Sequence, residues 1–187
     1  MSVEQNYFEN AITLEKYMSQ MESNQEKSYS IYEKFELPKD EEFFALLKEK
    51  NPQILVITED WCGDAMMNNA ILRKIADAAD LEVRCVYRDE NLELMDRYLT
   101  NGSRSIPKYV FLSQDGEVLA DWGPRSAMVQ EFVDGLKAKL PEKEDPQYDL
   151  HFKTVIGEIT DGFVYKSEYW DSVYEELKAV LTKSLSK

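Results

Sequence analysis

Apolar and polar positions follow two periods along the chain, and the changes of period divide it into elements. Tyr7, Ala11, Leu14, Met18 and Met21 recur every three or four residues, which predicts one amphipathic helix near the start. A polar stretch, Glu22–Ser30, follows; Tyr32, Phe35 and Leu37 then lead to Pro38. Asp40 is placed to cap a helix carrying Phe43, Phe44, Leu46 and Leu47, which stops at Asn51-Pro52. The run Gln53–Thr58 is short, β-branched and unbroken, as a strand buried on both faces requires. Beyond it the pattern predicts a helix from Gly63 to Ala79, a strand from Glu82 to Tyr87, and a helix from Asn91 to Leu99 ended by Asn101-Gly102. Lys108–Leu112 and Val118–Trp122 flank Gln114-Asp115-Gly116 as a hairpin, and a helix from Ser126 to Leu140 ends at Pro141.

The tail predicts two more helices. Asp145 and Pro146 read as a cap and first-turn proline, Phe152, Val155, Ile156 and Ile159 give helical spacing, and Asp161-Gly162 reads as the stop. Trp170, Val173, Leu177 and Val180 share a face of the last helix. The expected class is α/β, a mixed sheet flanked by helices. Residues 40–140 form the main domain, with helical extensions at 1–39 and 141–187 docked on it.

Composition narrows the function. At 187 residues and 43% apolar content the chain can bury one sizeable core. A formal charge of −14 with no basic cluster argues against nucleic acid and against an anionic membrane as partners. All six arginines lie between Arg73 and Arg125, so the middle differs in composition from its flanks. No signal peptide or membrane-spanning run is seen, and a cytoplasmic location is expected. There the two cysteines, Cys62 and Cys85, are expected as free thiols.

The chemistry concentrates in Glu59-Asp60-Trp61-Cys62-Gly63-Asp64-Ala65, which ends a strand and opens a helix. A thiol at that junction meets free backbone N–H groups and the positive end of the helix dipole, and both favour thiolate. Farther on, Ile106-Pro107 precedes one hairpin strand and Trp122-Gly123-Pro124-Arg125 follows the other. In order and spacing these motifs resemble the thioredoxin family from about Asp40 to Leu140. Within that superfamily they are similar to a bacterial branch with helical extensions.

The resemblance implies a thioredoxin-like fold with a peptide groove beside Cys62. Trp61, Gly63 and Asp64 would wall one side, and Ile106, Pro107, Gly123 and Pro124 would complete it. It also implies a cis bond at Ile106-Pro107, leaving the backbone of Ile106 to pair with an extended substrate. Trp122 is expected to pack rather than react.

Two departures from the family matter. Ala65 stands where a second, resolving cysteine would be, and Val56 stands where the family keeps a buried acid. Cys85 falls within a strand interior and is expected to be a small buried hydrophobe, out of reach of Cys62. Asp64, with Asp60 and Glu59 nearby, works against the thiolate as an exposed carboxylate; one about 6 Å away costs it on the order of 0.5–1 kcal/mol. A moderately activated thiol is the expectation.

Other chemistries are poorly supported. His151, the one histidine, lies in the tail; no His/Cys cluster offers a metal site, and no cofactor is expected. The leading expectation is a monothiol in which Cys62 exchanges with a protein or low-molecular-weight disulfide and a second thiol releases it. The alternative is a redox-inactive adaptor that uses the same groove, or its helical arms, to bind protein.

Overall fold

The computed structural model describes residues 1–187 throughout. The unbroken run Gln53–Thr58 forms β2, buried along its whole length at the centre of a five-stranded sheet. Around it stand β1 (Ile12–Thr13), β3 (Val83–Tyr87), β4 (Lys108–Leu112) and β5 (Val118–Trp122), in the order β1-β3-β2-β4-β5. β2 pairs parallel with β3 and antiparallel with β4; β1 and β5 close the edges antiparallel.

Period-two alternation splits the interior into two unequal cores. Ile54, Val56, Tyr109 and Phe111 point into a cluster of 37 buried residues on one face, whereas Leu55, Ile57, Val110 and Leu112 point into one of nine on the other. The larger side holds α3 (Gln25–Lys34), α4 (Glu41–Lys50), α5 (Gly63–Ala79), α7 (Ala127–Lys137), α8 (Tyr148–Tyr165) and α9 (Ser167–Leu185). α5 lies among them and is buried on every side, from Ala65 through Asn68 and Asn69 to Ile75.

The N-terminal stripe is divided rather than continuous. α1 (Val3–Asn10) is capped by the Ser2 hydroxyl, which accepts from the Gln5 N–H, and ends at Ala11. Ile12-Thr13 then turns extended to pair with Cys85 and Arg84, and the Thr13 hydroxyl caps α2 (Leu14–Ser19). A β-branched pair with a capping hydroxyl favours this break. The break also lets the arm cross the sheet edge: Phe8 enters the smaller core, and Leu14, Tyr17 and Met18 enter the larger.

Three further boundaries differ from expectation. α3 begins inside the polar stretch, where Ser28 is buried and its hydroxyl donates to the Met66 carbonyl of α5. The helix expected over Asn91–Leu99 shrinks to α6 (Leu92–Met95), preceded by a single turn at Arg88–Glu90. In the tail, Pro146 sits in the turn ahead of α8, and Asp161-Gly162 does not stop that helix. A Cβ at Gly162 would lie 2.5 Å from Phe132 of α7, so this glycine serves close helix packing.

Candidate functional site

Cys62 is the N-cap of α5, at the carboxyl end of β2, as its position between the two patterns requires. The thiol is half-buried, and its Sγ donates to the Ile106 carbonyl at 3.5 Å. Ile106 and Pro107 are buried, and the peptide between them is cis. The Gly123–Pro124 peptide is cis as well, a bond no motif pointed to.

Gly123 is dictated by the approach of two backbones. Its φ is +129°, and a Cβ there would stand 2.2 Å from the Pro107 carbonyl oxygen. The Lys108 ammonium donates to the Gly123 carbonyl at 3.1 Å, and the Asn68 amide to that of Pro124 at 2.7 Å. The second strand end is thereby fastened to both the Pro107 segment and α5.

The acidic residues flanking the thiol are not the solvated carboxylates expected of them. Glu59 is buried and accepts from the Asp89 N–H at 3.0 Å; burial lifts its carboxyl above the usual range. Asp60 accepts from the Glu22 N–H at 2.8 Å and the Ser23 N–H at 3.4 Å, and its carbonyl takes the Asn24 amide at 3.0 Å. Asp64 is 8% exposed and bound in a two-pronged pair by Arg125, at 2.8 and 2.9 Å. Its burial pushes the carboxyl up, and Arg125 offsets part of that. Each acid fixes the loop to a different part of the molecule.

These surroundings reverse the expected acidity of the thiol. Burial, then the Asp64 charge, pushes Cys62 up to about 11, against smaller opposing effects of the Ala65 and Asp64 N–H groups and of Arg125. The helix terminus acts in the expected direction but is outweighed. The resting side chain is a protonated thiol at neutral pH.

Beneath the site lies an uncharged hydrogen-bonded chain. Tyr17 O–H and Thr58 Oγ1 share a hydrogen at 3.1 Å, the Asn69 amide donates to the same Oγ1, and Tyr109 O–H donates to Asn69 Oδ1 at 2.7 Å. Val56, in register with both Tyr109 and Cys85, is fully buried. Cys85 is 2% exposed in mid-strand and burial raises its pKa; both cysteines are free.

Beside the thiol a cavity of about 430 Å³ is lined by Trp61, Asp64, Ile106 and Pro124, four of the expected wall residues. Gly63, Pro107 and Gly123 are not part of the lining. Trp61 is 53% exposed, and the Arg88 guanidinium stacks over its ring at 5.0 Å. Trp122 is buried, packs on Tyr109 and donates its indole N–H to Glu176. Arg88, Arg104 and Arg125 also line the cavity; Arg125 stood in the Trp122-Gly123-Pro124-Arg125 motif without a role, and the confinement of arginine to residues 73–125 was the only trace of the other two.

The whole fold has parallels among solved structures. A protein of unknown function, PA1234 from Pseudomonas aeruginosa, solved at 1.5 Å, superposes over 98% of this chain and 99% of its own, with TM-score 0.68 and 17% identity. An HIV 4E10 epitope-scaffold covers 97% and 99%, with TM-score 0.68 and 14% identity. Both helical arms are included in these superpositions. No curated protein matches the sequence. A family model described as thioredoxin matches residues 11–139, well over half of the chain, and the chain therefore belongs to the thioredoxin family.

Proposed function

We propose that Cys62 performs monothiol thiol–disulfide exchange on a substrate held in the groove between Trp61 and Ile106-Pro107. The observation that carries this reading is the thiol's placement: it caps a helix and donates its proton to the Ile106 carbonyl at the groove wall. A substrate N–H pairing with that carbonyl would compete with the thiol for its acceptor and ease its ionisation. The thiolate then attacks a disulfide sulfur, the S–S bond breaks, and the departing thiolate takes up the proton. With Ala65 in the resolving position, a second substrate thiol must release the mixed disulfide.

The test is the rate at which Cys62 forms a mixed disulfide with hydroxyethyl disulfide across pH, in a Cys85→Ser background. A thiol near 11 is expected to be roughly 10- to 50-fold slower than free cysteine at neutral pH, because its greater nucleophilicity recovers only part of the lost thiolate. The rate should climb through that titration and then exceed the rate of free cysteine. A rate that stays flat and slow to high pH would defeat the exchange reading.

The raised thiol pKa also favours a second reading, a redox-inactive adaptor that binds an extended segment in the same groove. In that case Cys62→Ser retains partner affinity and exchange never develops.

A further inference from the structure

The cavity beside Cys62 gathers half of the chain's arginines. Arg88, Arg104 and Arg125 line it with Asp64, a balance of +2 that their partners Asp89 and Asp96, outside the lining, offset, in a protein whose formal charge is −14. Arg125 is fully engaged: Nε and Nη2 donate to Asp64, and Nη1 donates to Gln130. Arg88 and Arg104 are not. Arg88 donates from Nε to Asp89 and from Nη1 to the Arg104 carbonyl, leaving Nη2 unpartnered. Arg104 holds Asp96 through Nε and Nη2, leaving Nη1 unpartnered. Asp96 and Asp89 are about half exposed; the single-contact Arg88–Asp89 pair contributes little, whereas the two-pronged Arg104–Asp96 pair is firmer and leaves Arg104 to bind a second carboxylate through its free Nη1.

Geometry and size narrow the ligand. The Arg88 guanidinium lies 5.0 Å from the centre of the Trp61 ring at the cavity mouth, and the free Nη2 of Arg88 and Nη1 of Arg104 each offer one charge-assisted hydrogen bond to a carboxylate oxygen. A cavity of about 430 Å³ is in the small-molecule range. Ile106, whose carbonyl accepts the thiol's hydrogen bond, lines the same cavity, as do Trp61 and Asp64, which flank Cys62 in the chain; the sulfur lies at the cavity's edge rather than in its lining, within reach of a ligand that extends past Ile106.

We propose that the preferred substrate of Cys62 is a low-molecular-weight disulfide bearing carboxylates, held by Arg88 and Arg104. The substrate assignment rests on the exchange reading; the anion site does not. In the balanced reaction, the Cys62 sulfur bonds to one substrate sulfur and the S–S bond breaks. A carboxylate-bearing thiolate leaves and takes the proton Cys62 gave up. A second small thiol then restores Cys62 and carries off the first half as a new disulfide.

Three small disulfides distinguish this from the pull of the whole molecule's charge: dithiodipropionate, hydroxyethyl disulfide and cystamine, bearing negative, no and positive charge. Rates on the Cys85→Ser protein are normalised to those of mercaptoethanol. The net charge alone would favour cystamine, whereas the arginine site predicts dithiodipropionate ahead of cystamine by about tenfold at low salt. Arg104→Gln alone, and together with Arg88→Gln, should shrink that ratio by about fivefold or more. Cystamine reacting fastest, or a ratio indifferent to both variants, would overturn the substrate assignment.

If Cys62 reacts with none of the three, the exchange reading fails and the substrate assignment fails with it. The anion site is then judged separately by titrating the Cys62→Ser protein with thiodipropionate, a thioether that cannot exchange. Shifts of the Trp61 indole and of the Arg88 and Arg104 Nε resonances would support the site. Their absence at tens of millimolar would eliminate it.

Discussion

At the scale of single residues, the thiol shows how burial overrides a local rule. The N-cap position of Cys62 was legible in the sequence, and so was the opposition of Asp64, but Asp64 was read as exposed. Its burial depends on Arg125, 61 positions away, a pairing that no local pattern encodes. Asp64→Asn removes a negative charge from beside the sulfur and frees Arg125. Alkylation of Cys62 by iodoacetamide near pH 8 should then rise, by about threefold for each unit the pKa falls, since lower nucleophilicity offsets part of the gain in thiolate. The same substitution leaves Arg125 without its partner and should lower unfolding stability by about 2–4 kcal/mol. Alkaline stability follows from the thiol itself. With its folded pKa raised to about 11, Cys62 contributes stability that is fully present below the ordinary thiol pKa. That contribution is lost as pH rises through the window from about 8.5 to 11. Cys85 and the buried Tyr17 and Tyr109 are raised as well and add to the decline, so urea unfolding is followed in a Cys85→Ser background, where Cys62→Ala should lessen the loss across this window without abolishing it.

At the scale of elements, strands and long helices were written locally, and short ones were not. β2 and α5 lie where the sequence places them because one is an unbroken β-branched run and the other a long stretch with no glycine or proline after Gly63, so each is set by its own residues and not by a distant partner. The division of the N-terminal stripe into α1, β1 and α2 was hidden because Tyr7, Ala11, Leu14, Met18 and Met21 keep steps of three and four across the break. Glycine punctuation misled for a related reason: Gly162 suits Phe132, a neighbour on another helix, and not a chain reversal. Gly123 and Gly102 both have positive φ, yet substitution should separate them. Gly102→Ala meets nothing within 4 Å and should cost about 1 kcal/mol for the backbone alone. Gly123→Ala drives a methyl into the Pro107 carbonyl and should cost about 2–4 kcal/mol, measured by thermal unfolding. It should also displace the Pro124 wall, so exchange by Cys62 falls with stability.

At the scale of the whole molecule, the arms belong to the same interior as the sheet. Tyr17 and Met18 from one arm, and Val173, Tyr174 and Leu177 from the other, are fully buried in the larger core. Residues 40–140 expressed alone should expose these contacts and bind a hydrophobic dye without a cooperative unfolding transition. Polar tethers add to the docking. Glu4 accepts from Tyr98 O–H at 2.7 Å and from Arg97 Nε at 2.9 Å; burial alone would raise its carboxyl, but these bonds outweigh it and leave the pKa lowered. A lowered carboxyl stabilises above its unfolded pKa and loses that contribution as pH falls through the folded one. Glu4→Gln should therefore cost about 1–3 kcal/mol at neutral pH and less in acid, by urea unfolding at both. The attachment of Glu59 to the Asp89 turn and of Asp60 to the loop at residues 22–24 has a further consequence. A loop moored on both sides has little entropy left to lose, so a ligand arriving at Trp61 and Cys62 meets a shape already set, and selection falls on the ligand's own flexibility.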